Sequence, residues 1–197
     1  FHGAEPEPMK VDLPQGTPNS YAGRIIYEIS EDYTIMGSAA FVKEPELRDP
    51  DLEKIWRYST SLYNRHELGS GWNLHNTFIF GLVNGYDHVS ALRSFLDEFW
   101  IHSHRPSQFW GRIEFVERAP AQLAISGAAD PLEPRWVTAL TLGYTHRLAS
   151  IGEAELGLGA SASKYFLPSE FGSAYSGDPL GAKIFLQLGG MKMFERN

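Results

Sequence analysis

The chain has 197 residues, 43% apolar and 13% aromatic, which is long enough for one domain with a full core and unlike the composition of a disordered segment. Its formal charge is -7 and no basic run appears, which argues against nucleic acid as a partner because phosphate binding needs clustered Lys and Arg. Cysteine is absent, so disulfides, thiolate metal ligands and thiol nucleophiles are excluded together.

The 19 glycines and the high aromatic content fit a β-rich chain with many turns better than a helical bundle. No stretch of about 18 apolar residues exists, which excludes a helix spanning a bilayer. The chain opens on "FHGAEPEP" without a basic and apolar leader, and the expectation is a mature form or a piece of a longer protein. Residues 1–19 read as a loop segment on the extracellular side, with "MKVDL" at Met9 to Leu13 too brief to span a membrane.

From Ser20 onward, nine alternating segments are separated by Gly, Pro, Asp and Ser clusters. They cover 20–30, 33–43, 57–67, 72–83, 90–102, 108–118, 136–147, 153–166 and 180–190. Each has about the length that crosses a bilayer at a tilt near 45°. The connections alternate. Tight turns at Ser30 to Asp32, Gly69 to Gly71, His104 to Ser107 and Ser150 to Gly152 take turns with long polar loops, among them "EPELRDPDLEKIW" and "APAQLAISGAADPLEPR". Asp49 and Pro50 in the first of these loops predict a helical turn, as a cap followed by the first helical position.

Alternation by itself does not separate a soluble barrel from a membrane one. Two features favour the membrane: the short-turn and long-loop asymmetry, and aromatics near strand ends (Tyr21, Tyr27, Tyr33, Trp72, Trp110, Trp136, Tyr144, Tyr165) that read as interfacial girdles. The fold class expected is therefore all-β: an antiparallel transmembrane β-barrel, or half of a larger one, over residues 20–197 with about nine to ten strands in this chain. Short turns would face the periplasm and long loops the outside. An odd strand count predicts that at least one more strand precedes Phe1 or is supplied elsewhere, because lipid offers no partner to a free strand edge.

On the polar registers lie Arg24, Glu28, Glu98, Arg112, Glu114, Glu155 and Lys183, expected to line the interior as a salt-bridged network or a charge-selective ring. His66, His75, His102, His104 and His146 gather near the short-turn end. Interfacial polar aromatics explain them most simply; the lesser expectation is a copper or zinc site at His75, His102 and His104, and otherwise no cofactor. Enzyme motifs are thin. His146 and Ser150 in "THRLAS" lie close in sequence, but at the periplasmic turn, and no catalytic role is expected.

The phrases "SYAGRIIYE", "FVKEPE", "YNR", "GRIEFVER" and "YFLPSEFGSAYSGDPLGAKIFLQL" are spread over the whole chain. In these it resembles a group of porin-like bacterial outer-membrane β-barrels of unassigned function and roughly twice this length. The resemblance implies the C-terminal half of such a barrel, with the N-terminal half or a partner chain completing it, and it assigns no site residues. The functional expectation is an outer-membrane porin-like barrel giving a polar passage for small solutes or ions, with the lipid bilayer as its surroundings. The alternatives are a structural barrel enclosing or anchoring a partner protein, and a soluble ligand-binding β-barrel.

Overall fold

The computed structural model describes residues 19–43, 53–85, 91–103, 106–123, 125, 130–151, 154–175 and 177–190. Nine strands follow in chain order: β1 Tyr21–Ser30, β2 Tyr33–Lys43, β3 Lys54–Gly69, β4 Trp72–Asn84, β5 Leu92–Ser103, β6 Ser107–Arg118, β7 Arg135–Ile151, β8 Ala154–Phe166 and β9 Leu180–Gly190. They form one antiparallel sheet in sequence order, with β1 and β9 as its two edges. The all-β antiparallel expectation holds; among the described residues the sheet is not closed into a barrel.

Strand boundaries differ from the sequence reading where tertiary pairing extends them. β3 begins at Lys54 because Ile55 is fully buried against Val42 of β2, with Ala40 and Val83 packed on the pair. β7 continues to Ile151 through a bulge between Arg147 and Ala149, so that Ser150 pairs with Glu155 and Ile151 with Ala154. Similar register shifts occur between Glu28 and Ser30 and between Glu67 and Gly69. All three lie at the short-turn end, where an extra residue bends a strand and lets the sheet turn. The turn at that end of β3 runs through Gly69, Ser70 and Gly71 with φ of 84°, 52° and 76°, a left-handed run for which glycine at two of three positions removes the Cβ clash.

The long-loop side carries structure that the sequence pattern did not signal. A 3-10 turn at Pro120–Leu123 follows β6, and a helix α1 at Ser169–Tyr175 fills the connection from β8 to β9. Phe171 of α1 and Pro120 are fully buried there. Arg135 joins the two loops, with Nη2 2.6 Å from Glu133 Oε2 and Nε 3.4 Å from Glu170 Oε1. Its hydrogen bond holds the Glu133 carboxyl below the usual carboxylate range; the Glu170 carboxyl is lowered first by its own backbone N–H and then by Arg135 and Ser169. The stretch Met9 to Leu13, the helical turn at Asp49 and Pro50, and all but Asn19 of segment 1–19 lie outside the described residues.

The sheet curls with its polar register inside. In a flat sheet Tyr63 on β3 and Lys183 on β9, six strands apart, would be about 29 Å from one another. Both instead line a single hollow of about 850 Å³. The opposite face is apolar and open: Ile25 is 77% exposed, Ile184 80% and Leu186 70%. Buried apolar side chains among the described residues are few and sit mostly near the loop end, so no dry apolar centre forms between layers. No helix among the described residues is long and apolar enough to cross a membrane, which says nothing about strands.

Candidate functional site: the concave wall

Cross-strand register places one polar row across the whole sheet. Glu28 pairs with Thr34, then Tyr63, Thr77, Glu98, Arg112, Thr141, Ser163 and Gly181, one residue from each strand. Because side chains alternate with a period of two, a shift of one residue in any strand would break this row. At its middle Arg112 Nη1 lies 3.4 Å from Glu98 Oε1, and its Nε pairs with Glu114, so three of the seven expected interior charges form one network. Thr141 and Ser163 hydroxyls continue the row at 2.8 Å.

The other four charges divide. Glu155 pairs with Arg147 at 2.8 Å, a partner that the sequence reading did not single out. Lys183 lies 5.8 Å from the Phe185 ring centroid and also lines the hollow. Arg24 and Glu28 share the concave register on β1, but both are exposed, and among the described residues neither makes an ion pair. An edge strand with a neighbour on one side only has half the cross-strand partners of a central one.

Glycines of the polar register have a packing role. Gly143 on β7 lies beneath the Trp110 indole of β6, and Gly159 on β8 beneath the Phe185 ring of β9; a Cβ at either position would run into the ring. The two rings approach to 6.3 Å over the β7–β8 pair. Within "GLGASAS" it is Gly159 that makes room for a ring, that of Phe185, on the wall. Trp110 is consequently not a girdle residue as expected: it lines the hollow, as does Tyr165, because even positions of β6 and odd positions of β8 face inward. On the convex face aromatics do collect toward strand ends. Tyr33, Trp72, Phe109 and Tyr144 lie at the short-turn end, and Phe41, Trp56, Tyr58 and Trp136 at the long-loop end.

The histidines also divide. His66 and His146 are on the convex face, against Tyr33 at 3.4 Å and Tyr144 at 3.1 Å. His146 Nδ1 therefore shares its hydrogen bond with a tyrosine of its own strand, not with Ser150. His75 of β4 and His102 of β5 face the hollow, and their Nε2 atoms are 2.9 Å apart. Tyr63 Oη is 2.5 Å from His75 Nδ1, and the His102 ring stacks on Trp100 at 3.9 Å. His104 lies outside the described residues. The "HSH" spacing pointed to His102, whereas the diagonal approach of His75 needed the β4–β5 register, in which Asn73 faces His102 and Trp100 faces His75.

One convex-face feature had no sequence signal. Asn64, Asn76 and Asp97 form a ladder across β3, β4 and β5, with Asn64 Nδ2 donating to Asn76 Oδ1 at 3.3 Å and Asn76 Nδ2 to Asp97 Oδ1 at 2.6 Å. No protein-family model matches the chain, and neither does any curated protein or solved structure.

Proposed function

We propose that this chain is a wall of an outer-membrane β-barrel in which the concave polar face lines a passage for small solutes or ions. One observation carries the reading: many large apolar side chains of the convex register are exposed, with no second layer over them among the described residues, while the charged register encloses the hollow. Hydrocarbon lipid is a favourable solvent for the first, and water for the second. The aromatic belts at both ends of the convex face fit the two interfaces.

The two edge strands set what completes the wall. Nine alternating strands leave β1 and β9 running in the same direction. Antiparallel closure then requires an odd number of further strands, and two copies in the same membrane orientation cannot close on each other because β9 would meet β1 in parallel. An N-terminal barrel half or a partner chain supplies those strands.

The test is to extract the protein from membranes with detergent, together with any polypeptide that accompanies it, and to record from planar bilayers after reconstitution. Stepwise ion conductance is expected, with charge selectivity altered by Glu98→Gln. Purification as a monomer without detergent would favour a soluble ligand-binding barrel. A stable bilayer-inserted complex without conductance would favour a scaffold whose lumen is filled by its partner.

A further inference from the structure

His75 and His102 converge on one point of the concave wall, near the short-turn end, with 2.9 Å between their Nε2 atoms. Two neutral imidazoles keep that contact by sharing one proton: one ring donates its N–H and the other accepts with its lone pair. When the donor ring carries its proton on Nδ1 instead, the same two nitrogens offer two lone pairs to one cation. Resting on the reading of this face as a lumen wall, we infer that the pair is a two-imidazole binding site for a first-row transition-metal ion, copper(II) above zinc(II).

The geometry is close to what such an ion needs. Zn–N bonds of about 2.0–2.1 Å at a tetrahedral angle separate the two nitrogens by about 3.4 Å, so the rings open by about half an ångström. Both rings are held from outside. Tyr63 Oη, 2.5 Å from His75 Nδ1, accepts the Nδ1–H of the tautomer whose Nε2 is free to bind, as outer hydrogen-bond partners do for metal-bound imidazoles. The His102 ring lies against Trp100, whose indole N–H donates to Gln108 Oε1 at 3.3 Å.

Donor type sets the ion class. Imidazole nitrogen favours copper, zinc and nickel over magnesium or calcium, and copper(II) stands highest among the divalent ions. Among the described residues no group of three or more His, Cys, Asp or Glu side chains converges, so water or a passing solute fills the remaining positions. A site with two protein ligands can both load and release its ion, as a passage requires. The charge facing it from β3 is Arg65, directly across from His75, and its guanidinium is turned to Asp32 at 2.9 Å. Farther along the hollow, Arg112 is shared between Glu98 and Glu114, and Lys183 lies over Phe185.

The test titrates Cu2+ into the full-length protein in detergent at neutral pH and reads the bound ion by electron paramagnetic resonance. Two equatorial nitrogens are expected, with affinity lowered tenfold or more in His75→Ala and in His102→Ala, lowered less in Tyr63→Phe, and unchanged in His66→Ala and His146→Ala. Should an alanine variant not fold, His75→Gln and His102→Gln replace them, with Trp fluorescence reporting the native wall. Equal affinity in the wild type and the His75/His102 double variant overturns the site. The passage is read separately: block of conductance by Cu2+ in the wild type and not in His102→Ala supports an ion bound within it. Two-nitrogen binding without block leaves the site standing and removes the lumen reading.

Discussion

The polar row from Glu28 to Gly181 and its neighbour, one residue away on every strand, cross the same nine strands with opposite chemistry. The neighbour reads Tyr27, Ile35, Leu62, Phe78, Ile113, Leu140 and Leu180, broken by Asp97 between Phe78 and Ile113 and by Lys164 between Leu140 and Leu180. The polar row tolerates charges of both signs by pairing them across strands, as Arg112 does with Glu98. The apolar row manages its two exceptions individually. Asp97 accepts from Asn76, and the Lys164 ammonium lies 4.9 Å from the Phe166 ring centroid, two pairing positions nearer the long-loop end. A carboxylate held by the Asn76 amide and a lysine reaching along an aromatic ring both give a polar tip a partner on the apolar face, as the proposed lipid-facing wall would require.

The largest test of this contrast exchanges chemistry between the rows. Ile113→Arg puts a cation on the convex face and is expected to cost about 2–4 kcal/mol in bilayer-inserted stability, while Thr77→Arg on the concave face, opposite Glu98, changes little. Chemical denaturation from vesicles measures both, and equal losses would mean that the two faces meet the same solvent. Next in size is the wall packing. Gly143→Ala drives a methyl into the Trp110 ring and should destabilise by about 1–3 kcal/mol. Adding Trp110→Ala should recover part of that loss; a double variant as unstable as the sum of the two singles would remove the stacking argument.

A smaller effect with the opposite sign is expected at the ladder. Asp97→Asn keeps an oxygen to accept from Asn76 and removes a charge from the apolar row, so stability should rise by on the order of 1 kcal/mol. A fall in the denaturation midpoint would mean that Asp97 does not face lipid. The smallest concerns the loop clamp. The Glu133 and Glu170 carboxyls are lowered in the folded protein, so their contribution is present above the ordinary carboxylate pKa and is lost as pH falls through the lower folded values. The Arg135 Nε–H resonance followed on acidification should shift with a midpoint below about 4.3. A midpoint at or above that value would show that the loops are not held this way at neutral pH.

Strand number, strand order and the composition of each face could be read from the chain, because a period of two and the spacing of Gly and Pro are local properties. Glu98, Arg112 and Glu114 were legible as one-sided charges for the same reason. Their joining into a network was not, because Glu98 and Arg112 belong to different strands and meet only through the β5–β6 register. Trp110 was assigned to a girdle by its nearness to a strand end, although it shares the register of Arg112 and so faces the hollow; that Gly143 lies beneath its ring shows only once β6 and β7 are paired. The Asn64, Asn76 and Asp97 ladder left no trace for a similar reason: each residue looks like an isolated polar interruption until three strands are aligned.

What the sequence determined by itself is the alternation, the turn asymmetry and the charge content, all consequences of neighbours along the chain. What only the tertiary structure decided is the inward curl of the polar register, the 2.9 Å meeting of His75 and His102, and the place of β1 and β9 at the two ends of the sheet. The physical reason is that backbone hydrogen bonding between strands fixes distances the covalent chain leaves free, so residues 27 positions apart become direct neighbours only once the register is set.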